Sequence, residues 1–334
     1  MRRRILLAAL LLLTGSMIWQ ISATANAQTQ QQAAKRWQGT TDQPYCYGSV
    51  FWNSGELTAA EAATLAALLE QTIPSGAERA PILTAYGGTE AGRAVYANRS
   101  VEAELWYVSE DFFLLHPYAM IEGGVHQLSM PLAVLNEAAA WQLFGSVYGC
   151  GETIMIDGAG YRVAAILQEP RDAAAAVAYG STPRIFLPLT EHTEITFFEA
   201  VLPEYYAGYA AQTLSDLTGR PVMENTGRFC LPRLWEQAKR FLLAPPEAVP
   251  QLPPWEQAAI LTQRRLCVLW LLLFPAAALL LYFLGKEVWQ FGKRRCFSAP
   301  PAKKRSRRIG GRYFAVHALC ADRADESAGA GGDG

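Results

Sequence analysis

Chemistry in this chain would have to come from its histidines, cysteines, hydroxyls and paired acids, and these are scattered. The four histidines, His116, His126, His192 and His317, share no spacing with one another or with a cysteine. No HExxH run puts two imidazoles on one helix face for zinc, and no GxSxG elbow raises a serine above a sheet. The run GCGETI at Gly149–Ile154 lacks the third glycine of a dinucleotide fingerprint and leads into a hairpin rather than a helix. No GxxxxGK[ST] loop is available to cradle a nucleotide phosphate, so no ATPase is fused to the chain. Cys46, Cys150, Cys230, Cys267, Cys296 and Cys320 show no zinc-ligand spacing. Asn98-Arg99-Ser100 is a glycosylation acceptor only in a eukaryotic secretory pathway. The sequence thus predicts no catalytic group, no metal and no cofactor.

What the chain has instead is membrane-length hydrophobicity. Ile5–Ala23 and Leu266–Leu284 are each 19 residues without a charge, enough to cross about 30 Å of hydrocarbon as a helix. Arg2, Arg3 and Arg4 precede the first block. The same segment also reads as a secretory signal, with Ala25-Asn26-Ala27 as a small-residue cleavage site, and both readings stand. Either way, the segment from residue 28 onward is exported. Lys286, Lys293, Arg294, Arg295 and six further basic residues up to Arg312 lie after the second block, against Arg264 and Arg265 before it. Basic residues stay on the cytoplasmic side. Both termini are therefore expected in the cytoplasm, with residues 28–263 outside. Trp255 and Trp289, with Lys286, are placed to anchor the second helix at the two interfaces, and Pro275 lies within it.

The net charge of −1 conceals a strong asymmetry. Residues 28–263 carry 13 basic and 25 acidic side chains, whereas 286–334 carry 11 and 5. The basic tail is expected to fix topology and touch anionic lipid. It has no aromatic or motif context for nucleic acid. Three cysteines lie in the exported part, an odd number, so one disulfide with a free thiol, a bridge between chains, or buried thiols remain open.

Between the hydrophobic blocks the pattern is α+β. Residues 28–44 read as a polar linker and 45–243 as the extracytoplasmic domain. Tyr45–Trp52 reads as a buried strand, and Leu57–Ile73 as a helix opened by a Thr58/Glu61 capping box with Leu65, Leu68, Leu69 and Ile73 on one face. Two alternating stretches come next, up to Ser109. A second strand–helix–strand unit is read at Ile195–Pro203, Glu204–Gly219 and Arg220–Thr226, with Gly219 ending the helix. The two units flank a β-rich insert at about 120–190, so the domain is split. Arg233–Leu243 reads as a helix. The stretch 244–265 is a proline-rich linker and a pre-membrane helix restarting near Trp255, 266–284 is the second span, and 285–334 is a tail low in complexity and expected to be disordered.

The stretch Ala133–Leu167 reads as helix, glycine turn and hairpin. Leu135, Asn136, Glu137, Leu143 and Phe144 belong to the helix, which Gly145 ends in a left-handed cap. After Gly151, Ile154 and Ile156 alternate, Asp157-Gly158 turns the chain, and Tyr161 and Val163 return. This order, with Val101–Gly124 before it and Thr182–Thr190 after it, resembles the periplasmic core domain of MacB-type ABC transporter permeases, relatives of the FtsX-like permeases. The likeness is fullest over Val101–Thr190 and extends over Tyr45–Thr226. It departs in having one membrane helix after the domain rather than several, and in Gly149-Cys150 where the family has a proline-aliphatic pair.

The resemblance implies an α+β extracytoplasmic split domain, with a porter-like strand–helix–strand layer and a β-rich inserted subdomain, between two transmembrane helices. It also implies a bacterial cytoplasmic membrane and a non-catalytic role in a transporter complex. Partners would then be a cytoplasmic ATP-binding subunit, another permease subunit or a second copy in a homodimer, besides lipid. A free-standing envelope binding or scaffold protein reusing the fold is the alternative.

Overall fold

The computed structural model describes residues 2–28, 32–39, 42–72, 81–243 and 252–297, in two units divided after Leu284. In the first unit the elements run α1 (Arg2–Ala27), α2 (Ala33–Gln38), β1 (Tyr45–Phe51), α3 (Ala59–Gln71), β2 (Leu83–Tyr96), β3 (Arg99–Val108), α4 (Phe112–Leu115), β4 (Ala119–Gly123) and β5 (Leu132–Asn136). They continue with α5 (Glu137–Phe144), β6 (Thr153–Ile156), β7 (Ala159–Gln168), α6 (Ala173–Tyr179), β8 (Arg184–Pro188), β9 (Phe197–Pro203), α7 (Tyr209–Thr218), β10 (Met223–Glu224), α8 (Leu231–Leu243) and α9 (Pro254–Phe297). The fold is α+β, as the pattern of strands and helices implies.

The strands form one sheet in the order β10-β1-β9-β2-β3-β8-β5-β7-β4. β6 pairs with both β2 and β7, which closes β2, β3, β8, β5, β7 and β6 into a ring. The long strands β2 and β3 pair over Gly87–Tyr96 and Arg99–Val108. They carry the chain from the layer around β1 and β9 into this small barrel. The insert is thus continuous with the layer through the same two strands.

Alternation along the strands sorts the core. On β1, Tyr45 and Tyr47 face one way and Cys46 and Val50 the other; on β9, Phe197 and Val201 oppose Phe198, Ala200 and Leu202. α3 and α7 cover the Cys46 face through Ala62, Leu69, Ala210 and Leu214. α3 begins with the expected capping box: the Thr58 hydroxyl accepts from the Glu61 N–H at 3.3 Å, and the Glu61 carboxylate accepts from the Thr58 N–H at 2.9 Å, a device worth about 1 kcal/mol. Of its predicted apolar face, Leu69 is buried and Leu65 half-buried, whereas Leu68 is exposed and Ile73 lies outside the described residues. The opposite face is covered by α2, α4 and the start of α9.

The barrel interior holds Ala94, Val101, Leu105, Leu135, Ile154, Ile156, Tyr161, Val163 and Ile185, with Ala139, Ala140 and Leu143 of α5 packed into it. The β6–β7 turn is a two-residue turn with φ positive at both Asp157 (49°) and Gly158 (84°), as the primed turns of tight hairpins require. Gly145 ends α5 at φ 72° and ψ 16°, the left-handed cap that a side chain resists.

Several readings are corrected. Leu135 and Asn136 lie in β5, and helix begins only at Glu137, because Leu135 is needed in the barrel wall. In the stretch read as a linker, α2 buries Ala33 and Ala34, and Arg36 donates to the Leu115 carbonyl at 2.7 Å; its flanking glutamines masked that short apolar face. Of Arg220–Thr226 only Met223 and Glu224 pair as strand, opposite Ser49 and Gly48.

α1 and α9 are both long and apolar enough to cross a bilayer. Arg2, Arg3 and Arg4 open α1, and Pro275 lies inside α9 without ending it. In the second unit α9 continues to Phe297, with Lys286 half-buried, Trp289 exposed and Lys293 stacked over the Trp289 ring at 4.2 Å. The tail beyond Phe297, with Cys320, lies outside the described residues.

Leu143 seals the barrel with no exposed surface. Leu143→Ala is expected to destabilise the full chain by about 3 kcal/mol, whereas Met155→Ala on the outer face of β6 changes stability by less than about 0.5 kcal/mol. Thermal unfolding in detergent distinguishes the two.

Candidate functional site

A charged residue in the middle of the apolar run Phe197–Pro203 has nowhere wet to go when both faces of its strand are covered. Glu199 of β9 is fully buried. An isolated buried carboxylate is unsustainable, so the surrounding elements must bring donors to it. They come from three directions.

Ser49 stands directly opposite Glu199 in the β1–β9 register, and its hydroxyl donates to Oε1 at 2.9 Å. His116, the residue that ends α4, pairs through Nε2 with the other carboxylate oxygen, Oε2. The Trp255 indole N–H, from the first turn of α9, donates to Oε1 at 3.1 Å. Behind Ser49, the Asn225 side-chain amide donates to its Oγ at 2.7 Å, and the Asn225 backbone N–H donates to the Tyr47 carbonyl at 2.8 Å. Arg228 then donates to Asn225 Oδ1 at 3.2 Å and to Gln263 Oε1 at 3.1 Å, and forms an ion pair with Glu256 at 2.5 Å.

This network links the sheet to α9 at three of the helix's side chains: Trp255, Glu256 and Gln263. Aromatic rings enclose it. Trp255 lies 4.5 Å from His116, 5.1 Å from Trp106, 5.2 Å from Phe197 and 5.5 Å from Phe112, centroid to centroid. Water is excluded, which strengthens each electrostatic contact and makes each missing partner costly. Burial alone would raise the Glu199 carboxyl. Attraction to His116 and the hydrogen bonds from His116, Trp255 and Ser49 outweigh it and hold the group below its ordinary value of 4.5.

Ser49, His116 and Glu199 are the residue types of a hydrolytic triad in a different order. Glu199 stands between the other two and accepts from both, so the Ser49 hydroxyl donates its hydrogen bond to the carboxylate and makes no contact with the imidazole that would activate it as a nucleophile. The arrangement holds an α-helix against a sheet by charge and hydrogen bonds.

Trp255, expected at the membrane interface, is 2% exposed and is a core residue of the domain. Its indole N–H needs the Glu199 oxygen more than a headgroup. The family-motif residues come together elsewhere, in the barrel. Asn136 caps α5 by accepting from Ala139 at 2.9 Å, accepts from the Arg184 N–H at 3.0 Å, and donates to Glu169 at 3.1 Å and to the Thr182 carbonyl at 2.8 Å. Glu137 pairs with Arg171 at 2.8 Å. Phe144 makes an edge contact with Tyr96 at 4.8 Å, and Gly151 donates its N–H to the Val163 carbonyl at 2.8 Å. Leu135, Leu143, Ile154, Ile156, Tyr161 and Val163 line the interior, and Gly145 and Gly158 make the two turns.

Arg184, unmarked in the sequence, is buried beside Asn136. It pairs with Glu104 and Glu169, each at 2.8 Å, and donates to the Tyr179 carbonyl at 2.9 Å. Cys46, Cys150, Cys230 and Cys267 are free thiols. Burial, with Glu122 nearby, pushes the Cys150 thiol up to about 11, the opposite of a reactive cysteine. The signal for the junction was in the sequence: Glu199 interrupts an otherwise apolar strand.

The Glu199 pairing generates a signed pH dependence. Because its folded value lies below the ordinary one, its stabilisation is present above pH 4.5 and is lost as pH falls through the depressed folded value. His116→Gln is expected to lower stability by about 3 kcal/mol at neutral pH, because it leaves a buried carboxylate short of one of its partners. It should also move the acid limb of the unfolding profile to higher pH. Melting temperature against pH for both proteins measures this.

The profile of the MacB-like periplasmic core domain matches residues 6–214. No curated protein matches the chain. Among solved structures, the periplasmic region of MacB from Actinobacillus actinomycetemcomitans aligns at 15% identity and TM-score 0.40, covering 64% of this chain and 97% of that one. The extracellular domain of the noncanonic ABC-type transporter YknZ from Gram-positive bacteria aligns at 13% identity and TM-score 0.36, covering 53% and 99%. The matched span takes in α1, the β1–β9 layer, the whole barrel and most of α7, and on that match the chain belongs to the family of the MacB-like periplasmic core domain.

Proposed function

We propose that this chain is a non-catalytic, permease-type or accessory subunit of an ABC transporter complex in a bacterial cytoplasmic membrane. It belongs to the family of the MacB-like periplasmic core domain, and its order of motifs resembles that of ABC transporter permeases. The reading takes both termini as cytoplasmic and the domain between the apolar helices as extracytoplasmic, in line with the basic residues around Arg2–Arg4 and Lys286–Arg312. ATP hydrolysis would come from a separate cytoplasmic chain.

The observation that supports it is the junction. α9 enters the core of the domain through Trp255 and Glu256 and runs on into an uncharged stretch of membrane length. A helix held to the sheet by the Trp255–Glu199 hydrogen bond and backed by the buried Glu256–Arg228 ion pair moves with it. Displacement of α9 in the membrane would then reach the barrel through β9, β2 and β3 with little lost to a hinge. Coupling of that kind needs a rigid element biased from both ends, and it needs no nucleophile.

Affinity purification of the full chain from native membranes in mild detergent, with mass spectrometry of the eluate, tests the reading. A stoichiometric ATP-binding subunit, with or without a further permease subunit, is expected. Recovery of the chain alone or only with itself would overturn it in favour of a free-standing envelope binding or scaffold protein.

A further inference from the structure

We infer that α8 is a lipid-facing elbow lying in the outer leaflet, and that Arg264 and Arg265 of α9 hold the headgroups of anionic phospholipid. The inference rests on α9 crossing a bilayer and goes beyond the coupling role.

α8 is two-sided. Leu231, Leu234, Trp235 and Ala238 fall on one side of the helix, and Arg233, Glu236 and Lys239 point away from it. The centre of the apolar side is buried: Leu234 and Ala238 pack against Met17 and Ile21 of α1 and Leu266, Cys267 and Leu273 of α9. The Cys267 thiol donates to the Leu234 carbonyl at 3.2 Å. The flanks of that side are not covered. Leu231 is 40% exposed and Trp235 47%.

Depth is set by the partner of Trp235. Its ring meets Phe274 edge-on at 6.3 Å, and Phe274 stands eight residues into the uncharged stretch that starts at Leu266. At a rise of about 1.5 Å per residue this is roughly 12 Å along the span. Phe274, Leu272 and Val268 are themselves exposed large apolar side chains of that stretch. The exposed edge of Trp235 therefore continues the surface that α9 presents to hydrocarbon, at a level within the acyl chains of the outer leaflet.

The charge has the sign that suits phosphate. Arg233 pairs with Glu224, and Lys239 with Glu236. Arg264 and Arg265 are exposed in the turn of α9 just before Leu266, and the chain has no acidic residue between Glu256 and Glu287. Guanidinium groups at the rim of a span pair with phosphate oxygens in two-pronged fashion, and a headgroup without a choline cation leaves that attraction unopposed.

The full chain is reconstituted in phosphatidylcholine vesicles carrying bromine midway along the acyl chains. Fluorescence of wild type minus Trp235→Phe isolates Trp235. Wild type minus Trp270→Phe isolates a residue of the span itself. Quenching of Trp235 by bromine, with protection from aqueous acrylamide, is expected. Quenching of Trp235 by acrylamide alone overturns the inference, as does protection from both, which would mark the face as covered by a second copy or another subunit. If Trp270 also escapes bromine, it is the membrane reading of α9 that fails. In mixed phosphatidylcholine and phosphatidylglycerol vesicles, retention of phosphatidylglycerol by Arg264→Gln/Arg265→Gln should fall about fivefold per arginine removed. Equal retention by wild type and variant overturns the assignment of the headgroup site.

Discussion

The rest of the structure is built around one buried carboxylate. Glu199 sits in a strand covered on both faces, where water cannot reach it, and a bare charge there would be untenable. Its partners arrive from β1, from the end of α4 and from the start of α9. An ion pair, Arg228 with Glu256, backs them. Each donor is contributed by a different element, so the sheet, the short helix α4 and the membrane-length helix must be in register together or the carboxylate is left without partners. A purely apolar contact would tolerate sliding, whereas this one specifies a single docking geometry.

That constraint divides the domain into two mechanical parts. The barrel is closed by the β6 pairings, and α5 packs into it with Leu143 as a dry seal. Its own buried ion cluster around Arg184 fixes the α5 cap and the β8 strand. The layer around β1 and β9 holds the junction. β2 and β3 run through both, so the two parts share continuous strands. The family profile ends at residue 214, so Ser49, His116 and Glu199 fall inside it while Asn225, Arg228, Trp255 and Glu256 fall outside. The junction ties the family's core domain to the segment that leads into the membrane.

Local signals were legible in the sequence where the physics is local. The Thr58/Glu61 box, the Asp157-Gly158 turn and the Gly145 and Gly219 caps are set by side-chain and backbone geometry within a few residues, and each is found at the expected residues. The two-faced burial of Tyr45–Phe51 came from its composition. What was not legible depends on pairing between distant segments. Closure of the barrel needs β6 to meet β2, some sixty residues earlier in the chain. Leu135 and Asn136 have good helical neighbours, yet pairing with β7 and β8 holds them in a strand. Trp255 has the composition and position of an interfacial anchor, and only the fold brings Glu199 within reach of its indole. Glu199 itself was visible as a charge in an apolar run, but its partners lie 56 to 150 residues away.

Hydrogen exchange read by mass spectrometry on the full chain in lipid nanodiscs tests the central claim most directly, by comparing wild type with Glu199→Ala. If the junction fastens α9 to the sheet, removing the carboxylate will expose residues 254–263 and strands β1 and β9 together, with matching rates, while β5 to β8 of the barrel keep their protection. If residues 254–263 keep wild-type protection, or loosen with β1 and β9 unchanged, the helix is held by something other than this network and the account is contradicted.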